Sequence, residues 1–383
     1  MTMHFPRSEF DSRIAKTCQA MAAGGLDGLV LFRQESMYYL TGYDTEGYTM
    51  FQGMVMTAEG RLALLTRSAD RLQSGMTSIL EHIRIWEDRE DATPGLDLRD
   101  LMESLGLRGK RVAIEYHAYG LTAQRGKMVD SALEGFCETV DGSDLVRLVR
   151  LVKSPLELDY VRKAGQLCDE AWTIANAGSR PGVFLGEVYG DMMNVILAGD
   201  GDPTAHRWPM GAGKNALMVR YHTGKETVGP QDQVTHEFAA AYRHYHTVAM
   251  SVVVTGTPDR RHKDMFAACK DALALCHETL RPGKTVGELY EAHVEGLTRC
   301  GYGHAALKAC GYSLGISYPP TWMDWPMIYR GNSQVVEPGM VFFMHMILLD
   351  DTTGLTMSLG ETAIVTEGPP ERVNHAPQKL VVN

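Results

Sequence analysis

The spacing of apolar residues in the N-terminal part of the chain switches between two periods, which predicts helices and strands in alternation. Apolar residues recur at helical spacing over 10–21, and Ser8 just before them resembles a helix N-cap. The short apolar segments 27–32 and 111–116 are typical of buried strands, and 54–66 predicts a β-hairpin. Helices and strands joined by short connections indicate an α/β domain.

A second domain is predicted to begin close to a strong helix-start signal. Ser154 is suited to the N-cap, Pro155 to the first helical position, and Glu157 stands three residues after the serine, as in a capping box. The 383 residues of the chain exceed the usual size of one compact domain. We therefore predict an N-terminal domain over 1–148 and a C-terminal domain over 149–383.

The C-terminal part contains an internal sequence repeat. The segment 180–189 (RPGVFLGEVY) matches 281–290 (RPGKTVGELY) at six of ten positions, with equal spacing. Each copy follows a long amphipathic pattern, over 160–174 and 265–280 respectively. Two similar helix–turn–helix units predict a duplicated, pseudo-symmetric domain.

Composition and charge restrict the class of partner. There are 37 Lys and Arg residues against 47 Asp and Glu, and the net charge of −10 disfavours binding to nucleic acid or to an anionic membrane. No apolar run has the length of a membrane span, and the N-terminus has no apolar signal core, so we expect a cytoplasmic protein. The seven cysteines form no C-x-x-C pair and are expected to be reduced.

Three features together resemble the creatinase, prolidase and aminopeptidase P superfamily. They are the duplicated helices, the segment 38–43 (YYLTGY) and the linker 150–164 (RLVKSPLELDYVRKA). The resemblance covers nearly the whole chain and implies a mixed α/β (α+β) fold. The N-terminal domain would be a ribonuclease-H-like α/β domain, followed by a pseudo-symmetric pita-bread catalytic domain.

Most members of that superfamily are peptidases with five metal ligands: two Asp, one His and two Glu. The positions that match those ligands are Glu237, Val248, Tyr312, His345 and Glu361. Valine cannot coordinate a metal, and a neutral phenol is a poor ligand for a divalent ion, so a two-metal peptidase site is not expected. We predict no metal cofactor; the alternative is one divalent ion held by Glu237, His345 and Glu361.

The superfamily also contains metal-free members that hydrolyse C–N bonds in small nitrogen-rich molecules. The segment 311–322 (GYSLGISYPPTW) is similar to the ectoine-hydrolase-like branch, and 243–246 (RHYH) is similar as well. The resemblance implies a metal-independent hydrolase of a non-peptide C–N bond in a small zwitterionic amidine. The best single guess is ring opening of ectoine to an N-acetyl-diaminobutyrate.

The amidinium carbon of such a substrate is electron-poor and already carries positive charge, so it needs carboxylates and a nucleophile rather than a Lewis acid. We expect Glu237 to act as nucleophile or general base, with Glu361 facing it across the site as anchor for the cation. The leaving nitrogen needs an acid, for which His222, His246 and His345 are candidates. For each histidine a purely structural role remains an alternative.

The remaining candidate residues would bind the substrate. Arg220 suits a substrate carboxylate and is expected on one face of a strand with His222. An aromatic wall suits a small cation, although a subunit interface is an equal alternative for Trp325. The predicted substrate-binding residues are Arg220, Tyr312, Tyr318, Trp322 and His345.

Other functions remain open at this point. A creatinase-like amidinohydrolase, a hydrolase or lyase of another small osmolyte with one metal, and a catalytically inactive binding protein are the alternatives. The resemblance also implies a homodimer in which the N-terminal domain lies near the partner's active site. The Tyr- and Gly-rich loop 42–51 is the segment we expect there.

Overall fold

The computed structural model describes residues 3–221 and 224–383 of the chain. These residues form two compact units that divide between Arg150 and Leu151. Within the described ranges, no helix is both long and apolar enough to cross a membrane. All seven cysteines are free thiols, as the sequence predicts.

The N-terminal unit is a six-stranded mixed sheet with helices packed against it. Its helices are α1 (Arg7–Ala23), α2 (Gln34–Thr41), α3 (Arg71–Thr77), α4 (Pro94–Ser104), α5 (Ala123–Leu133) and α6 (Leu145–Val149). Its strands are β1 (Gly28–Leu31), β2 (Gly53–Thr57), β3 (Leu62–Arg67), β4 (His82–Trp86), β5 (Arg111–Ile114) and β6 (Glu138–Asp141). The strand order is β4-β3-β2-β1-β5-β6, antiparallel only at the β1–β2 and β2–β3 pairs.

Local signals place α1, β1, β2, β3 and β5, with one correction at the start of α1. Strands β1 and β5 and the β2–β3 hairpin occupy the predicted segments. Helix α1, however, begins at Arg7, and extended Pro6 takes the N-cap position without a side-chain hydrogen bond. Ser8 lies inside the first turn, because the helix begins two residues earlier than it would with Ser8 as its N-cap.

The C-terminal unit is a larger, mainly antiparallel sheet covered by two pairs of helices. The helices are α7 (Pro155–Gly178), α8 (Leu185–Ala198), α9 (Arg260–Thr279) and α10 (Val286–Arg299). The strands are β7 (Met210–Ala212), β8 (Asp232–Tyr242), β9 (Tyr245–Thr255), β10 (Ala309–Ser313), β11 (Asp324–Tyr329), β12 (Val341–Asp350), β13 (Leu355–Ile364), β14 (Glu371–Arg372) and β15 (Val381–Val382). The order is β11-β10-β12-β13-β9-β8-β7, with β14 paired to β13 and β15 to β9.

The internal sequence repeat corresponds to two equivalent helix–turn–helix units. Helix α7 packs against α8 and against β8 and β9, and α9 packs against α10 and against β12 and β13. The two turns match, because Gly182 and Gly283 adopt left-handed φ angles of 82° and 83°. Ser154 and Glu157 form the predicted capping box at the start of α7. The duplicated, pseudo-symmetric pita-bread architecture is therefore confirmed.

The two faces of this sheet have different partners. On β12 the even-numbered residues Phe342, Met344 and Met346 belong to the core that also contains apolar residues of α9 and α10. The odd-numbered residues of the same strand point to the opposite face, away from the helices. The side chains on that opposite face are therefore free of helix packing and can line a site.

Candidate active site

A small cavity of about 240 Å³ lies on the helix-free face of the C-terminal sheet. This volume is below the roughly 300–1,000 Å³ typical of sites for drug-sized ligands, so it suits a small molecule. Apolar side chains such as Met323, Met327 and Ile347 form part of its wall. The polar or aromatic residues that line it are His206, Arg220, Glu237, Tyr312, Trp322 and His345.

Strand register explains why Glu237 and His345 share this cavity. Glu237 on β8 is paired with Met250 on β9, which is paired with Gly360 on β13, which is paired with His345 on β12. Side chains of directly paired residues point to the same face of a sheet. Glu237 and His345 thus lie in one row, separated by a methionine and a glycine.

Glu237 is a buried carboxyl group with an unusual affinity for its proton. Burial raises its pKa to about 7, although the charge of Arg220 and a hydrogen bond with Tyr312 act in the opposite direction. A carboxylate that titrates near neutral pH can both accept and return a proton. This is the property that a general base requires.

Tyr312 lies between Glu237 and Trp322. The indole N–H of Trp322 donates a hydrogen bond of 2.8 Å to the Tyr312 hydroxyl. Burial and the nearby charge of Glu237 raise the pKa of Tyr312 well above its usual value. The phenol therefore stays protonated and acts as a hydrogen-bond donor in the cavity.

His345 is held in its neutral form. Burial, with a further contribution from His293, lowers the pKa of His345 to about 3. Its Nδ1 atom is buried and has no hydrogen-bond partner among the described residues, and its ring contacts Tyr312 and Phe343 at centroid distances of 6.1 and 5.7 Å. A neutral imidazole in this position can bind a substrate N–H but is a poor acid.

Glu361 does not face Glu237, which corrects the sequence-based expectation. It is paired with Met344 and points to the helix face, where it contacts His277 and accepts hydrogen bonds from Arg372 and Gln378. Although burial acts to raise its pKa, the bonds with His277 and Arg372 hold that pKa below its usual value. Adjacent residues of a strand point to opposite faces of the sheet, and in β13 it is Gly360, not Glu361, that points to the cavity.

His246 is likewise placed away from the cavity. The backbone N–H of Ala205 donates to its Nε2 at 3.0 Å, and its Nδ1–H donates to the carbonyl of His244 at 2.9 Å. Burial lowers its pKa to about 3, so it remains neutral. Both ring nitrogens are used by the backbone, and His246 has no proton available for a substrate. His222 lies outside the described residues.

Two other sequence-based expectations are also corrected. Tyr318 stacks on His244 with ring centroids 4.3 Å apart and lies outside the cavity. Trp325 packs against the core of the C-terminal unit and does not line the cavity either. Arg220 does line the cavity, but it lies in a turn rather than a strand, and the Tyr221 N–H bonds to the Met218 carbonyl at 2.9 Å.

Sequence reasoning missed His206. This residue precedes β7 and no motif marks it, so only the fold brings it to the cavity. Its Nδ1–H donates to the carbonyl of Pro320 at 2.9 Å, and its ring meets Trp322 edge-on at 5.1 Å. The one available signal was that it is a histidine in a short connection between a helix and an edge strand.

A pita-bread sheet with a buried carboxyl group on its concave face defines a hydrolase of the creatinase and prolidase type. Residues 159–367 match the model of metallopeptidase family M24, and residues 13–152 match the creatinase/prolidase N-terminal domain. The chain belongs to metallopeptidase family M24.

Relatives within this family are named for different reactions. The chain is 25% identical over 402 residues to the ectoine hydrolase of Halomonas elongata, covering 100% of this chain and 99% of that protein. It is 24% identical over 388 residues to the probable dipeptidase PepE of Mycobacterium tuberculosis, covering 99% and 98%. The crystal structure of dipeptidase PepE from Mycobacterium ulcerans superimposes with a TM-score of 0.86 at 21% identity, covering 99% of each chain. This last likeness shows the shared fold.

The family name implies metal ions, but the donor set of this cavity does not fit them. Among residues 3–221 and 224–383, no cluster of three or more His, Cys, Asp or Glu side chains could hold a metal ion. The cavity combines one carboxyl group, Glu237, with the cation of Arg220. The trio considered from the sequence is not brought together, because Glu361 lies on the other face from Glu237 and His345.

Gly360 stands between Glu237 and His345 in this row, at a position with no room for a side chain. A Cβ atom added to Gly360 would lie 2.6 Å from the Phe343 ring and 3.1 Å from the Met250 Cβ. Contacts under 3.0 Å force the surroundings to shift. The Phe343 ring thus fills the space that any side chain at position 360 would need.

We expect Gly360→Ala to destabilise the protein by about 1–3 kcal/mol, because the added methyl group would press against the Phe343 ring. Gly190→Ala is the matched control: Gly190 lies in α8 with nothing within 4 Å of an added Cβ, and alanine there should stabilise by about 0.5–1 kcal/mol. Urea unfolding of both variants measures the difference. Equal stability of Gly360→Ala and wild type would contradict the closed packing around Phe343.

Proposed function

We propose that this protein is a metal-independent hydrolase that opens a non-peptide C–N bond in a small zwitterionic amidine, with ectoine as the best single substrate. The observation that carries the proposal is that Glu237 and Arg220 line the same small cavity. Such a substrate bears an amidinium cation and a carboxylate, and these two side chains offer the complementary charges. The identity to an ectoine hydrolase over the whole chain supports the same choice.

The proposed chemistry needs no group beyond those in the cavity. Glu237 takes a proton from a water molecule, and the water oxygen forms a bond to the amidinium carbon. The tetrahedral carbon then expels one ring nitrogen, whose C–N bond breaks as Glu237 returns the proton to it. The remaining hydroxyl proton passes to the released nitrogen, so the products are an amide and an ammonium group, and the Glu237 carboxylate is regenerated.

Other groups in the cavity support these steps by position and charge. The Arg220 guanidinium binds the substrate carboxylate, which turns the amidinium ring toward Glu237. The neutral His345 ring offers a hydrogen bond to a substrate N–H. The ring faces of Tyr312 and Trp322 suit the cation, with about 0.5–2 kcal/mol per contact.

The decisive experiment is a substrate panel assayed after exhaustive treatment with a chelator. Ectoine, hydroxyectoine, creatine and X-Pro dipeptides are incubated with the protein, and N-acetyl-diaminobutyrate, urea and free proline are measured. We expect ring opening of ectoine at an undiminished rate, with less than one metal ion for every ten chains by elemental analysis. Proline release that requires added metal would instead show a peptidase, and inertness toward every compound would favour a binding protein.

A further inference from the structure

Trp322 is hydrogen-bonded to Tyr312, which lines the same cavity as Glu237. Its indole N–H donates to the Tyr312 hydroxyl at 2.8 Å. Trp322 is 1% exposed and Tyr312 is 2% exposed, so solvent does not compete for this bond. The buried hydrogen bond from Trp322 thus fixes the hydroxyl of a residue that lines the cavity beside the proposed base.

The chemistry of the three groups gives any hydrogen bonding among them a direction. An indole N–H can only donate, an ionised carboxylate can only accept, and a phenol has a single proton to donate. Since Trp322 donates to the phenol oxygen, the Tyr312 proton remains available to Glu237. We propose that Trp322 is a positioning residue, which orients the Tyr312 hydroxyl so that it holds one Glu237 oxygen and keeps the carboxylate aimed at the substrate.

The surroundings of Trp322 keep its ring in place. It lies in the connection between β10 and β11, where the Ser317 hydroxyl donates to the Trp322 carbonyl at 3.1 Å. The His206 ring packs edge-on against the indole at 5.1 Å, and His206 is itself bonded to the Pro320 carbonyl. The charged or titratable groups that share the cavity with Glu237 are Arg220, Tyr312, His206 and His345. A donor fixed in this way can orient the hydroxyl more strictly than water could.

The effect on turnover rests on the proposed function and is tested by a double-mutant cycle. We expect Trp322→Phe to lower kcat about tenfold with little change in KM, because one buried hydrogen bond is lost while an aromatic ring remains. Tyr312→Phe should lower kcat at least as much. The double variant Tyr312→Phe/Trp322→Phe should be no worse than Tyr312→Phe alone, because Trp322 acts through Tyr312. Additive losses would show that Trp322 only packs, and would overturn the proposal.

A second readout needs no substrate. The infrared difference between wild type and Glu237→Gln at pH 9 isolates the carboxylate band of Glu237, whose frequency reports its hydrogen bonds. Tyr312→Phe and Trp322→Phe should move this band in the same direction, and an unmoved band in Trp322→Phe would overturn the proposal. If the band moves while no compound of the panel is hydrolysed, the proposed function fails and the positioning role stands.

A shape-preserving variant separates the N–H from the bulk of the ring. Site-specific replacement of Trp322 by β-(3-benzothienyl)alanine keeps the two fused rings but removes the donor, so the fold should be retained even if Trp322→Phe does not fold. We expect the kcat and the carboxylate band of this variant to match those of Trp322→Phe. Behaviour equal to wild type would show that the N–H is irrelevant and would overturn the proposal.

Discussion

Replacing Glu237 by glutamine is expected to lower kcat by about 10²–10⁴-fold while the protein becomes more stable at alkaline pH. Glutamine keeps the shape of the side chain but can neither accept the proton of water nor return it to the leaving nitrogen. For the wild type the same carboxylate should set the acid limb of kcat/KM, with activity lost as the pH falls through about 7. Retention of more than about a tenth of kcat in Glu237→Gln would contradict its role as base.

The stability part of this prediction follows from linkage. The pKa of Glu237 is about 7 in the folded protein against an ordinary value of 4.5, so the unfolded chain releases the proton first. Ionisation therefore destabilises the fold progressively as the pH rises from 4.5 through 7, by about 3 kcal/mol in full. Glu237→Gln removes that cost above pH 8 and changes little at pH 4. Urea unfolding at the two pH values measures it.

Glu361→Gln is the matched control, since Glu361 is also buried but its pKa is lowered. It is expected to lose stability by about 1–3 kcal/mol at neutral pH, because the charge paired with His277 and Arg372 is removed. The two glutamates should thus respond to the same substitution with opposite signs. A stability loss in Glu237→Gln at pH 8 would show that Glu237 is a structural carboxylate instead.

Replacing Arg220 by methionine is expected to raise KM for a carboxylate-bearing amidine by about 10–50-fold. A charge-assisted pair between guanidinium and carboxylate contributes roughly 1.5–3 kcal/mol, and the exposure of Arg220 places the effect in the lower half of that range. Arg220 also acts to lower the pKa of Glu237, so its loss should move the acid limb of kcat/KM to higher pH. Initial rates across a pH series measure both effects.

Two comparisons make the Arg220 test specific. Arg207→Met removes another exposed arginine of the same unit, one that lies outside the cavity lining, and should leave KM unchanged. The same cyclic amidine without its carboxylate should bind wild type and Arg220→Met equally well. An equal loss of affinity for both amidines would mean that Arg220 does not bind the carboxylate.

The candidate site shows where sequence reasoning succeeds and where it stops. Glu237, Tyr312, Trp322, His345 and Arg220 all line the cavity, as motif positions on neighbouring strands and turns suggested. Motifs report which residues occur together along the chain, and on long paired strands that spacing carries over into space. The same reasoning cannot tell which of two adjacent strand residues faces the cavity, since a single step reverses the face.

Glu361 and His206 illustrate that limit: the first was predicted to face the cavity and does not, and the second lines the cavity but was not predicted. Glu361 stands beside the cavity-facing residue Gly360 in sequence, yet the pairing of β12 with β13 sends it to the helix α9. His206 carries no motif, and its position depends on contacts with Pro320 and Trp322, which are more than a hundred residues away. Such long-range contacts leave no local pattern in the chain.

The amino-acid sequence by itself determined several helices and strands and the duplication of the helix–turn–helix unit. The capping box at Ser154, the repeated Pro-Gly turns and the periodic apolar positions depend on neighbours a few residues apart, so they can be seen in the chain alone. Only the tertiary structure decided the chemistry of the cavity. The burial that raises the pKa of Glu237, the ring of Phe343 over Gly360 and the hydrogen bond from Trp322 to Tyr312 all require separate strands and loops to meet in space.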